Sequence, residues 1–182
     1  LRVVNSDDVF EKYLKDAKLD FKMQTAMGQG KERDALRDKA KAVTKKMRDN
    51  YVEGRLGLVI DGTGKDYSKI TSQANQLKQI GYDVHMVFIN TSLDVALERN
   101  RNRPRTVPEK ITIDSWNKVQ KNIGAFQRFF GNKNFVIVDN NEISDNVFDM
   151  VGKQVRRMLS KKVDNPTAKA WIENELRKKR RT

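Results

Sequence analysis

Arg99, Arg101, Arg103 and Arg105 fall at every second position of one short segment. A guanidinium keeps its charge and offers a planar fork of donors that matches phosphate oxygens. Several of them after a buried strand can surround one polyanion. The plainer reading is a solvated helix end, where arginines complement the dipole. Pro104 and Pro108 forbid a continuous helix through the run. The expectation is a helix end passing into a loop that can open and close. Carboxylates are the second set able to do chemistry. Asp7 and Asp8 follow the apolar Leu1–Val4, Asp61 follows LGLVI, and Asp139 follows FVIV. Asp7 or Asp8 can sit at a strand end where sheets bind ligands and Asp61 can position a magnesium ion, or they can simply cap helices and close turns. The lone histidine, His85, lies in an apolar run and reads as structural rather than catalytic.

The elements that must position these groups are legible in the hydrophobic pattern. Four apolar runs, Leu1–Val4, Leu56–Ile60, Val84–Ile89 and Phe135–Val138, have the length of buried strands. Between them lie helical stripes. Leu36, Ala40, Val43, Met47 and Tyr51 mark a long charged helix over Lys31–Glu53, closed by Gly54. Further stripes are Ile70 to Ile80, Ile113 to Phe130, and Val147 to Leu159. A helix is expected from Asp8 to Ala17, with Asp7 and Asp8 as caps in the plain reading. Ser144 is the expected cap of the helix that follows the last strand. Phe21–Gly30, with Met23, Met27, Gly28 and Gly30, is a connection or a mobile flap.

The expected order is β-α-α-β-α-β-α-α-β-α-α, hence an α/β fold, a three-layer sandwich with a mainly parallel sheet flanked by helices. The strands end in Asp7, Asp61, Asn90 and Asp139, which a parallel sheet places along one edge, where such sheets bind ligands. Residues 1–160 read as the α/β domain. Residues 161–182 read as a linker, a last helix and a basic tail, either a solubilising end or a patch for nucleic acid or another partner.

Composition narrows the class. The chain has 182 residues, no cysteine and a formal net charge of +13. It is long enough for a real core, holds no disulfide, and favours phosphate-rich partners. No run is long and apolar enough to span a membrane, and no secretory signal opens the chain. A cytoplasmic location is expected, the host's if the protein is phage-encoded.

The segments VVNSDDVF, LVIDGTGKDYSKI, VFINTSLDVALERNRNRPRTVP and FVIVDNN resemble the P-loop kinase superfamily, nearest the zeta-toxin-like and polynucleotide-kinase-like small kinases, phage versions included. The resemblance implies ATP and Mg2+ as cofactors and transfer of the γ-phosphate to a hydroxyl of a nucleotide, a nucleic-acid end or a small metabolite. It implies that Asp7 orients or deprotonates the attacking hydroxyl. Arg99, Arg103 and Arg105 would be lid arginines stabilising the transferred group. Asp61 would serve the metal, and Asp139, Asn140 and Asn141 would lie near the adenine. Asp8, Gly62, Thr63 and Arg101 are candidates for contacting the substrate.

One departure is plain. No G-x-x-x-x-G-K-[ST] occurs in the sequence; around Gly64-Lys65 the first glycine of that pattern is replaced by Val59. The expectation is that a first strand, phosphate loop and helix precede Leu1. The 182-residue chain alone is then expected neither to bind ATP tightly nor to transfer phosphate. The alternative is a catalytically inactive kinase-fold protein, a nucleic-acid-binding or virion-associated component.

Overall fold

The computed structural model describes residues 1–21, 30–142 and 145–180. Met23, Met27 and Gly28 of the expected flap, and the expected cap Ser144, lie outside them. The elements run β1 (Arg2–Val4), α1 (Ser6–Asp16), α2 (Lys31–Glu53), β2 (Leu58–Ile60), α3 (Tyr67–Gln79), β3 (Met86–Asn90), α4 (Leu93–Asn102), α5 (Glu109–Phe130), β4 (Phe135–Asp139), α6 (Asp145–Leu159) and α7 (Pro166–Lys179). This is the order the hydrophobic pattern predicts, and both strand pairings are parallel.

Three boundaries differ for identifiable reasons. α1 begins at Ser6 because the Asn5 side chain accepts from the Asp7 amide at 2.8 Å and is the cap. Asp7 and Asp8 therefore stand in the first turn, where their charge suits the helix N-terminus. β2 begins at Leu58 because the Leu56 amide is spent on the Tyr51 carbonyl, closing α2. His85 lies before β3 rather than in it, since pairing starts with Met86 opposite Phe135.

The chain forms two compact units: residues 1–63 with 93–116, and residues 64–92 with 117–182. In the first, β1 pairs with β2 and α1 packs on α2. Phe10, Leu14 and Ala40 are its buried centre, flanked by Val9, Tyr13, Leu19 and Leu36. The small Ala40, fully buried, lets α2 approach α1 closely. Arg33, buried on the first turns of α2, clamps the chain beyond α1 by bonding both the carbonyl and the carboxylate of Asp20.

In the second unit β3 pairs with β4 over five residues, from Met86↔Phe135 to Asn90↔Asp139. The α5 stripe buries Phe126 and Phe130 against Phe88, Phe135 and Ala74. Aromatic rings dominate this core, with Tyr67 and Phe126 centroids 5.2 Å apart. Gly64 is buried with φ +76°, a backbone state that excludes most side chains, and the Asn122 amide bonds its carbonyl. The α7 cap Asn165 reaches back to the carbonyls of Lys78 and Tyr82 and so docks α7 on the end of α3. Among the described residues no helix is long and apolar enough to cross a membrane.

His85 gives this unit a pH dependence. Its Nδ1 is buried without a hydrogen-bond partner. Burial first, and then Lys161, hold its pKa below the ordinary 6.5, against a smaller opposing pull from Asp83. The fold thus prefers neutral His85. The associated stability is present above pH 6.5 and lost as pH falls through the folded value. We expect a lower Tm at about pH 5, above the ordinary carboxylate range, than at neutral pH. His85→Gln should flatten that slope, and an unchanged slope would refute the assignment.

Candidate functional site

The first unit brings its chemistry to the C-terminal ends of β1 and β2. Asn5 follows β1 and Asp61 follows β2. The Asn5 Nδ2 donates to Asp61 Oδ2 at 3.0 Å, while the Asn5 Oδ1 caps α1. One amide thus ties the Asp61 carboxylate to the first turn of α1, which carries Asp7. Asp8 is exposed and touches the cluster only through a longer bond from Asn5, at 3.4 Å.

The arginine run meets this turn. Arg105 Nη2 donates to Asp7 Oδ2 at 2.8 Å, and Arg105 Nε donates to Glu11 Oε1 at 3.0 Å. The Arg105 side chain is only 15% exposed, against 45% for Asp7, so the guanidinium is the buried centre of the cluster. Arg103 lies beside it: burial first, then the neighbouring Arg105, disfavour its charged form, and Asp7 and Glu11 favour it. Arginine stays cationic under such pressure. Glu11, Lys15, Phe21, Arg103, Pro104 and Arg105 line a cavity of about 220 Å³. Its lining is three cations and one carboxylate beside an aromatic ring.

The four arginines are therefore not equivalent. Arg99 and Arg101 lie on α4, and Arg103 and Arg105 in the loop beyond it, as the prolines predict. Arg101 points away from the cluster, to Glu109 at 2.7 Å on an exposed surface. Arg99 is half-buried on α4. Gly62 and Thr63 are exposed just past β2, and a Cβ on Gly62 would meet nothing within 4 Å, so that turn stays open.

The second unit has its own strand-end cluster. Asp139 Oδ1 accepts from the amide and the side chain of Asn141, at 2.9 and 2.6 Å. The Asn140 amide donates to the Asn90 carbonyl, and the Asn141 Oδ1 accepts from the Ser92 amide. Asn90 is further held by Gln120 of α5 at 2.8 Å. Asp139, Asn140 and Asn141 thus stitch the ends of β3 and β4 together.

Sequence reasoning missed Glu11 and Asn100. Glu11 had a signal: it stands four residues after Asp7, on the same face of α1. Asn100 had none, because its two shortest bonds go to backbone groups of Val107. It is buried at the end of α4; its Nδ2 donates to the Val107 carbonyl at 2.7 Å and its Oδ1 accepts from the Val107 amide at 3.0 Å. The same Oδ1 accepts from Arg103. Asn100 thereby fixes the span that carries Arg103 and Arg105. Asn100→Ala strands both Val107 groups, so a loss of about 1–3 kcal/mol is expected in urea denaturation. Tryptic cleavage after Arg105 should be faster as well. Unchanged stability and cleavage would show that the span is held by other means.

A family model described as Zeta toxin matches residues 13–149. The match contains Asp61, the four arginines and Asp139–Asn141, and it starts after Asp7 and Glu11. No curated protein and no solved structure matches the chain.

Proposed function

Since the chain belongs to the Zeta toxin family, whose members are P-loop kinase-like and use ATP, we propose that its residues serve a phosphotransferase. The reaction moves the γ-phosphate of ATP to a hydroxyl of a nucleotide, a nucleic-acid end or a small metabolite. The observation that carries this reading is the contact of Arg105 with Asp7 and Glu11 across 98 and 94 residues of chain. That contact sets the Arg105 guanidinium against a carboxylate in the first turn of α1, which supports reading Arg105 as a lid arginine. Phosphoryl transfer needs little more from a protein than such positioning and charge stabilisation.

In this proposal Asp7 orients the acceptor hydroxyl and takes its proton. Arg105 and Arg103 face the transferred group, and Arg99 supports them from α4. Asp8, Gly62 and Thr63 border the acceptor, and Arg101, engaged by Glu109, stands outside it. Asp139, Asn140 and Asn141 serve the adenine. Asp61 suits Mg2+, which typically uses one or two carboxylates together with phosphate and water. Its side chain is exposed, and Asn5 engages one of its oxygens. Among the described residues no three carboxylate or imidazole groups form a metal cage. When bound, the ion neutralises phosphate charge. A three-layer sandwich on a mainly parallel sheet goes with this reading, and the two parallel pairs support it.

The phosphate-cradling loop of such kinases is not among these residues, so the activity proposed is that of a protein that contains one. The test supplies γ-labelled ATP and three acceptors: a nucleotide, a 5′-hydroxyl oligonucleotide and a hydroxylated metabolite. Transfer that is lost in Arg105→Ala supports the proposal. Salt-sensitive nucleic-acid binding without any transfer would favour a non-enzymatic, basic-surface role instead.

A further inference from the structure

A second basic cavity lies in the other unit, at the opposite end of β4 from Asp139. It holds about 370 Å³ between the residues leading into β4 and the last turns of α6. From α6 come Gln154, Arg157 and Met158, with Lys161 just beyond the helix. Their spacing of three, four and seven residues puts them on one face. Asn132 and Lys133 precede β4, and Val136 stands on it.

The cavity wall carries three cations, Lys133, Arg157 and Lys161, and no carboxylate. Among the described residues none of the three is in an ion pair. Asp164 feels Lys133, but its carboxylate bonds Lys169 at 2.9 Å. The Lys161 ammonium donates to the Lys133 carbonyl at 3.3 Å, which ties two of the cations' residues together. Like charges gathered at one concavity repel each other and concentrate a positive field. Such an arrangement is stabilised by an anion placed among them. The remaining wall is not that of a bare anion site. Met158 and Val136 offer apolar, polarisable surface. Gln154 and Asn132 offer amides; the Asn132 oxygen accepts from Gln127 at 3.3 Å, leaving its Nδ2 to donate. The volume lies in the range of small-molecule pockets.

We propose that this cavity is a second binding site, for a nucleoside phosphate unit. Lys133, Arg157 and Lys161 take the phosphate, Met158 and Val136 carry the base, and the two amides read its edge. The unit can come as a free nucleotide or as one residue of a strand. The site is independent of the phosphotransfer reading, since it shares no residue with the Asp7 cluster.

His85 is the reporter. It is the only histidine, and it senses the Lys161 charge. An anion that neutralises Lys161 should raise its pKa. The experiment follows the His85 ring resonances by NMR over a pH series of the whole chain. The probes are adenosine monophosphate, a short single-stranded oligonucleotide and inorganic phosphate. Adenosine monophosphate is expected to move His85 upward and saturably, and Arg157→Glu or Lys133→Glu to weaken that binding about tenfold or more. Both side chains are exposed, so the fold should tolerate either change. If the oligonucleotide alone moves His85, with the same sensitivity to both variants, the strand is the source of the unit. Inorganic phosphate acting as well as the nucleotide would overturn the nucleoside assignment. No movement with any probe, or movement indifferent to both variants, would overturn the site.

Discussion

Asp7→Asn is expected to lower phosphoryl transfer by about 10²–10⁴-fold, the range a positioned general base supplies, in a protein that joins these residues to a phosphate loop. The change is nearly isosteric, so the N-terminal turn of α1 and its Asn5 cap should survive it. What goes is the negative charge opposite Arg105 and the capacity to take a proton from the acceptor. If Asp7 acts on the acceptor, kcat falls while the KM for ATP holds. If Asp7 merely anchors Arg105, then Glu11→Gln, which removes the other half of the same fork, should be equally damaging. A kcat within a few-fold of wild type in Asp7→Asn would remove Asp7 from the chemistry and leave Arg105 as the centre of the site.

The order of elements was legible because each strand is a short apolar run and each helix a stripe with a period near four. The Lys31–Glu53 helix is found with both its predicted ends, since Gly54 closes it by bonding back to Asn50. Two of the three misplaced boundaries share one cause, a backbone donor taken by a neighbour that sequence does not reveal. Asn5 and the Leu56 amide are the cases in point. The pairing of Arg105 with Asp7 was legible only in part. The two residue types suit the chemistry, yet nothing local says which of four arginines folds back and which turns outward. Arg101 goes to Glu109 because that carboxylate opens α5 within reach. Arg105 lies beyond Pro104, in a span whose course Asn100 fixes through backbone bonds. Contacts made to backbone leave no pattern in side-chain type, and so Asn100 could not be found beforehand.

Phe126→Ala is expected to cost about 3–5 kcal/mol, the usual range for deleting a buried aromatic ring. Phe126 is wholly buried in α5, and its ring meets Tyr67 and Phe130 at centroid distances of 5.2 and 6.3 Å. These neighbours are rings on helices fixed elsewhere: α3 is capped by Asp66, whose side chain accepts from the Lys69 amide, and α5 is tied to Asn90 and Gly64. They cannot close the space the ring leaves, so a cavity adds to the lost transfer energy. Urea denaturation of wild type, Phe126→Leu and Phe126→Ala measures it, with a smaller loss for leucine because most of the volume stays. The functional consequence follows from the same ties. Gln120 holds Asn90 from the helix that Phe126 anchors, and Asn90 receives the Asn140 amide at the proposed adenine turn. Phe126→Ala should therefore weaken nucleotide binding there, even below the denaturation transition. A loss under about 1.5 kcal/mol, the range of well-tolerated core exchanges, would mean that the ring sits in a site that collapses around its absence. The aromatic cluster would then not be what holds α5 against the strand ends.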